Sequence, residues 1–182
     1  MGEERALEAL QASGLTYEVV RHGRVRSLAE AAAARGVEPA AVVKTIVVRR
    51  GADDYLFVLV PGDRTIAWPK LRAVLGVSRL SMPDAATAKE VTGYDRETIT
   101  PFGSLRPWPV VADQRIRGHK ISIGAGAHGV AATVDGDELV NASARRRPTL
   151  QRRRSVAPRR RAAGGEANKP GSELPIRLDA HS

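Results

Sequence analysis

The stretch VVKTIVVRR, Val42–Arg50, leads through the turn GADD (Gly51–Asp54) into DYLFVLVPG, Asp54–Gly62. Two β-branched, apolar runs on either side of a short polar turn predict a pair of strands buried on both faces. One residue disturbs the pattern. Lys44 sits at the start of the first run, where the backbone heads into a core. Burying an unpaired ammonium costs several kcal/mol. Either the head of Lys44 snorkels to water or an anionic or carbonyl oxygen meets it.

The other elements follow outward from this pair. ERALEALQASG (4–14) predicts a first helix, with Leu7 and Leu10 on one face and Gly14 at its end. TYEVVRH (16–22) alternates as a strand does. SLAEAAAARG (27–36) predicts a helix with Ser27 and Glu30 as a capping box, and VEPAAVV adds a short helical turn. WPKLRAVLG (68–76) and DAATAKEVTG (84–93) predict two more helices, the second capped by Asp84. The loop YDRETITPFGSLRP (94–107) is long enough to suggest a purpose. WPVVAD, KISIG and VAATV read as strands and DGDELV as a last short helix. The expectation is a compact, mixed α/β domain of about six strands and about five helices over residues 1–144.

The chain has 182 residues, is 42% hydrophobic and contains no cysteine, which excludes disulfides and thiolate metal sites. No run approaches about 18 apolar residues, and the charged N-terminus has no signal-peptide core. A cytoplasmic protein without membrane association is expected. The net charge of +9 is uneven. Residues 145–182 carry eleven Lys/Arg and three Asp/Glu, whereas residues 1–144 carry eighteen and seventeen. Arginine triplets, prolines and glycines without apolar period predict a disordered basic tail from Arg145. Any inference from basicity to nucleic acid concerns that tail.

GAGAHG (124–129) matches the dinucleotide string G-x-G-x-x-G. A strand precedes it, but VAATV after it reads as a strand rather than a helix, so the context of a nicotinamide site fails. A small-residue hairpin turn is the simpler reading. A further one is a turn whose N–H groups approach a carbonyl or phosphate. No paired histidine spacing, nucleophile elbow or Walker loop is present. What remains is Lys44, some hydroxyls and the backbone amides of Gly- and Pro-rich loops. On pattern alone Lys44 is a snorkelling strand-end lysine. Its company favours a pocket, since Lys44–Thr45, TITPFG and GAGAHG crowd into one small domain.

The ordered series EAAAARGVEPAAVVKTIVV, YLFVLVPGDRTI, KLRAVLG, TGYDRETITPFG and ISIGAGAHG, over residues 3–140, resembles the YbaK/EbsC family of aminoacyl-tRNA deacylases. That family includes relatives of the editing domain inserted in bacterial prolyl-tRNA synthetases. The resemblance implies a mixed, largely antiparallel sheet. It also implies trans-editing hydrolysis of the ester of a mischarged aminoacyl-tRNA, of the Cys-tRNA(Pro) type or similar, without cofactor or metal. The partners it implies are the tRNA acceptor end carrying an amino acid and an aminoacyl-tRNA synthetase. The family's functional lysine falls on Lys44 and its hydroxyl on Thr45. Its substrate loop falls on Thr98, Thr100, Pro101 and Gly103, and its small-residue turn on Gly124, Ala125 and Gly126, with Ser122 beside it. Glu97 stands where the family's glycine is expected, and some members carry serine at Gly124. Since the ester is already activated, such a site needs to position a water and stabilise an oxyanion. The rival reading is a non-catalytic tRNA- or synthetase-binding module whose pocket Glu97 has spoiled.

The tail yields a prediction of its own. A chain ending at Ala144 is expected to keep its fold and its turnover at saturating tRNA. It should bind tRNA more weakly at low salt, with the log–log slope reduced by about 0.7–0.9 for each phosphate that the tail neutralises. Parallel affinity-against-salt lines for the two chains would show that the tail touches no RNA.

Overall fold

A computed structural model describes residues 1–145; of the tail expected at 145–182, Arg145 instead ends a helix and 146–182 lie outside the described residues. The predicted hairpin forms as β2 (Val42–Gly51) and β3 (Asp54–Pro61). They pair antiparallel from Val43↔Pro61 to Gly51↔Asp54, with an irregularity between Arg49 and Gly51. Asp53 takes the left-handed turn position, φ 51°, one that Asp tolerates better than most residues. β3 is buried along nearly its whole length, as its unbroken apolar run requires.

Around this hairpin stand β1 (Tyr17–Arg21), β4 (Val110–Ala112), β5 (Lys120–Gly124) and β6 (Val130–Asp135). The six strands form one sheet in the order β1-β6-β5-β2-β3-β4. β1–β6, β5–β6 and β2–β3 are antiparallel, whereas β2–β5 and β3–β4 are parallel. The sheet is therefore mixed and mostly antiparallel, as expected. GAGAHG joins β5 to β6 as an antiparallel connection, and the strand that follows removes the dinucleotide reading.

The helices are α1 (Gly2–Ala12), α2 (Leu28–Arg35), α3 (Trp68–Leu75), α4 (Ala85–Thr92) and α5 (Gly136–Arg145). One face of the sheet carries Val43, Val47, Phe57, Leu59 and Ile123 against Leu10 of α1, Ala88 of α4 and Leu139 of α5. The other carries Val48, Leu56, Val58 and Val60 against Leu71 of α3. Ser27 Oγ accepts from Glu30 N–H at 3.1 Å as a cap, but the Glu30 carboxylate accepts from Arg26 N–H at 2.8 Å. The expected reciprocal box is thus displaced by one residue. No described helix is long and apolar enough to cross a membrane.

The long loop is held by buried polar contacts. The Tyr94 ring is fully buried, and its hydroxyl donates to Phe102 C=O at 2.6 Å. The Arg5 guanidinium lies 4.8 Å from that ring and donates to Gly93 C=O at 2.9 Å and Gly103 C=O at 3.0 Å. Burial raises the Tyr94 pKa above its ordinary value, with Arg5 opposing. Trp108 Nε1–H donates to Val91 C=O at 2.8 Å. A side chain at Gly103 would meet the Arg5 carbonyl, and one at Gly126 the Gly2 carbonyl and Tyr94. These two glycines let α1 sit against the loop and the β5–β6 turn.

Gly126→Ala is accordingly expected to destabilise the fold by about 2–3 kcal/mol, combining overpacking with left-handed strain. Gly14→Ala, at φ 74° with nothing near its Cβ position, should cost only the strain, about 1 kcal/mol. Chemical denaturation of both variants measures the difference.

Candidate functional site

The pairing of β2 with β5 stops after two residues, Val42↔Ser122 and Val43↔Ile123. Farther along the same edge, Arg49 exchanges both main-chain bonds with Ser81, at 2.7 and 3.1 Å. Main-chain groups alternate along a strand, so Thr45 and Val47 turn their N–H and C=O toward this edge as Arg49 does. Between Val43 and Arg49 no described strand covers it. A cavity of about 700 Å³ opens there. Val42 to Val47 form one wall, and Met82–Ala85 with Ala88 form the second. Arg96, Glu97 and Ile99 of the long loop, with Arg35 and Gly124, complete the lining.

Lys44 lines this cavity and is half-buried. Its Nζ donates to Arg64 C=O at 2.6 Å, in the segment after β3. A carbonyl oxygen thus meets the ammonium, the second of the two outcomes open to a lysine at this position. Thr45 Oγ1 is shielded from solvent and has no hydrogen-bond partner among the described residues. Alternation sends the Thr45 side chain to the face of Val43 and Val47 and that of Lys44 to the face of Val60.

Of the expected site residues, Lys44, Thr45 and Gly124 line the cavity, and the other seven are not among its lining residues. Thr98 is buried and its Oγ1 donates to Asp95 C=O at 2.7 Å. Thr100 is buried and its Oγ1 accepts from Phe102 N–H at 3.5 Å. Pro101 is buried beside it. Gly103 and Gly126 serve the close approaches described above, and Ala125 is fully buried in the core. Ser122 is fully buried, with its Oγ unpartnered. At Gly124 an added Cβ would lie 3.7 Å from Ile99 C=O, an ordinary contact that leaves room for alanine or serine.

Glu97 occupies φ 71°, the left-handed region that favours glycine. The backbone thus keeps the conformation for which the family's glycine is suited, while this chain puts an exposed carboxylate on the cavity wall. Arg35, Arg96 and Asp84 are lining residues that sequence pattern did not single out. Arg35 closes the alanine run of α2. Its Nε–H donates to His22 Nε2 at 3.1 Å, while His22 Nδ1 lies 2.7 Å from Gly23 C=O. That pair of contacts places the histidine proton on Nδ1. Burial lowers the Arg35 pKa from the ordinary guanidinium value, and no carboxylate pairs with it among the described residues. Asp84 accepts from Thr87 N–H at 2.7 Å as the cap of α4, which lowers its pKa. An arginine at the end of an alanine run has no signal in the sequence, because only the packing of α2 beside β2 brings it here. No group of three or more His, Asp or Glu residues that could hold a metal occurs among the described residues.

The fold and this cavity define an editing-domain protein. Residues 22–142 match the family model of the aminoacyl-tRNA editing domain, and the chain belongs to that family. It is 32% identical over 130 residues to the proline–tRNA ligase of Thermosipho africanus and 35% over 100 residues to that of Thermosipho melanesiensis. These matches cover 69% and 55% of this chain but only 23% and 17% of the ligases. Among solved structures, the hypothetical protein APE2540 superposes with a TM-score of 0.70 at 27% identity, over 77% of this chain and 94% of its own. A protein described as a candidate trans-editing enzyme for prolyl tRNA synthetase shares the fold, with a TM-score of 0.72 at 24% identity, over 79% of this chain and 92% of its own.

Replacing Glu97 tests the backbone conformation directly. Glu97→Gly is expected to be more stable than Glu97→Ala by about 1 kcal/mol, because alanine retains the left-handed penalty. Equal denaturation midpoints would show that the segment relaxes to another conformation.

Proposed function

We propose that this chain is an aminoacyl-tRNA deacylase that hydrolyses the ester of a mischarged tRNA. The observation that carries the reading is Lys44. Its ammonium is anchored on the Arg64 carbonyl beside a cavity where main-chain groups of Thr45 and Val47 lack a strand partner. Membership of the editing-domain family supports it.

The chemistry asked of the protein is modest. A water attacks the ester carbonyl carbon, and the carbonyl oxygen becomes an oxyanion in the tetrahedral intermediate. Collapse expels the terminal ribose oxygen, which takes a proton, leaving tRNA with a free hydroxyl and the free amino acid. Lys44 and nearby backbone N–H groups stabilise the oxyanion, and the Thr45 hydroxyl orients the water or the ribose. The ribose and amino acid lie against Glu97 and Ile99 of the long loop and Gly124 of the β5–β6 turn. Val47, Ile99, Met82 and Ala88 give the cavity apolar surface for a small side chain. The similarity to proline–tRNA ligases favours a small amino acid such as cysteine, misattached to the proline tRNA, with a synthetase as the companion protein.

A second reading, a tRNA- or synthetase-binding module without turnover, is favoured by one observation, the Glu97 carboxylate on the cavity wall. A panel of mischarged tRNAs separates the two. Release of one amino acid above the uncatalysed rate supports the deacylase, and binding without release supports the module.

Lys44→Ala is expected to slow deacylation by at least about 10²-fold, the usual loss of one preorganised charge stabiliser. The fold should survive, since the side chain is only half-buried. Wild-type turnover in this variant would end the case for the site. Glu97→Gly should hydrolyse at an equal or higher rate, or accept a larger amino acid, and a folded but inactive glycine variant would make Glu97 a working residue.

A further inference from the structure

Beyond Val47, β2 leaves the first cavity and enters a second concavity of about 640 Å³. Four arginines line it, Arg49, Arg50, Arg72 and Arg79, and no aspartate or glutamate does. Asp54 neutralises Arg50 with two hydrogen bonds, at 2.8 and 3.0 Å. Arg49 Nε–H donates only to Gly51 C=O, at 3.2 Å. The side chains of Arg72 and Arg79 have no hydrogen bond or ion pair among the described residues. Three guanidinium groups without carboxylate partners thus surround one concavity, in a region of chain that is nearly neutral as a whole. Like charges so placed repel, and an anion between them removes the repulsion. The planar guanidinium fork suits a phosphate.

The two cavities are lined by successive parts of the same two stretches of chain. β2 forms one side of both, with Val42–Val47 in the first and Arg49–Gly51 in the second. The segment Ser78–Ala85 forms the other, with Ser78–Ser81 in the second and Met82–Ala85 in the first. The Arg49–Ser81 bridge ties the sides together at the boundary. Along β2, Arg49 lies four residues past Thr45, roughly 13 Å at about 3.3 Å per residue. That separation is wide enough for the reacting end and the phosphates of one strand to occupy the two cavities.

We propose that the concavity of Arg49, Arg72 and Arg79 holds phosphodiester groups of the tRNA whose aminoacylated 3′ end enters the cavity at Lys44. This rests on the deacylase reading for the identity of the strand, but it is a binding site with its own readout. Arg50 takes no direct part, being held by Asp54.

The experiment uses the full chain and its Arg72→Ala/Arg79→Ala variant, with deacylated tRNA as the probe and affinity measured against salt. The double variant is expected to bind at least about 10-fold more weakly at low salt. Its log–log slope should be shallower by about 1.4–1.8, the equivalent of two phosphates. Arg72→Lys/Arg79→Lys should recover most of the slope, because charge sets it. Arg115→Ala/Lys120→Ala, which removes the same charge elsewhere, should change it less. In turnover of aminoacyl-tRNA the double alanine variant should raise KM and leave kcat unchanged. Salt lines parallel to wild type, or an equal loss in the Arg115/Lys120 control, would overturn the proposal. If tRNA binds as expected but no ester is hydrolysed, the arginine site stands and the deacylase reading falls. If esters are hydrolysed and the double variant binds like wild type, only the arginine site falls.

Discussion

The site depends on one asymmetry in strand pairing. β2 is bonded to β3 along nearly its full length but to β5 for only two residues. Pairing with β3 makes β2 a rigid central strand, and the early parting from β5 exposes main-chain donors and acceptors at the centre of the sheet rather than at its rim. Such groups require partners. Ser81 supplies them at Arg49, and the cavity lies between that bridge and the last β5 pair. A strand rigid on one side and open on the other gives a binding edge that does not have to be ordered when a ligand arrives.

The walls of the cavity are positioned by contacts outside it. Tyr94 and Arg5 fasten the two ends of the Asp95–Phe102 segment to α1, using buried carbonyls as acceptors. Thr98 and Thr100, whose hydroxyls bond within the loop, stiffen it further. Glu97 and Ile99 reach the cavity because their neighbours are taken up in this internal framework. The left-handed backbone at Glu97 belongs to the loop's path, and the side chain carried there is a separate matter of charge.

Charge in the two cavities is divided by location. Lys44 is fixed by a carbonyl and Arg35 by a neutral histidine nitrogen, so neither cation is cancelled by a carboxylate. Asp84 is occupied at the start of α4. The first cavity thus has positive charge beside polar main chain, and the second holds guanidinium groups suited to phosphate.

The hairpin, the helices and the approximate number of strands could be read from local pattern. Strand and helix periods, turn residues and caps act over a few neighbouring residues, and an ordered series of motifs carried the family. Thr45 and Gly124 were legible for the same reason. The division of the loop and turn residues into lining and support was not. Thr98, Thr100, Pro101, Gly103 and Gly126 are picked out by the motifs in sequence but do not line the cavity, because direction within an irregular loop is set by what it packs against. Arg35, Asp84 and the arginine concavity come from segments far apart in the chain. Local sequence sets the elements and the chemical groups available. Which of those groups share a cavity is a matter of tertiary structure, because it depends on where β2 parts from β5, and no local pattern encodes that point.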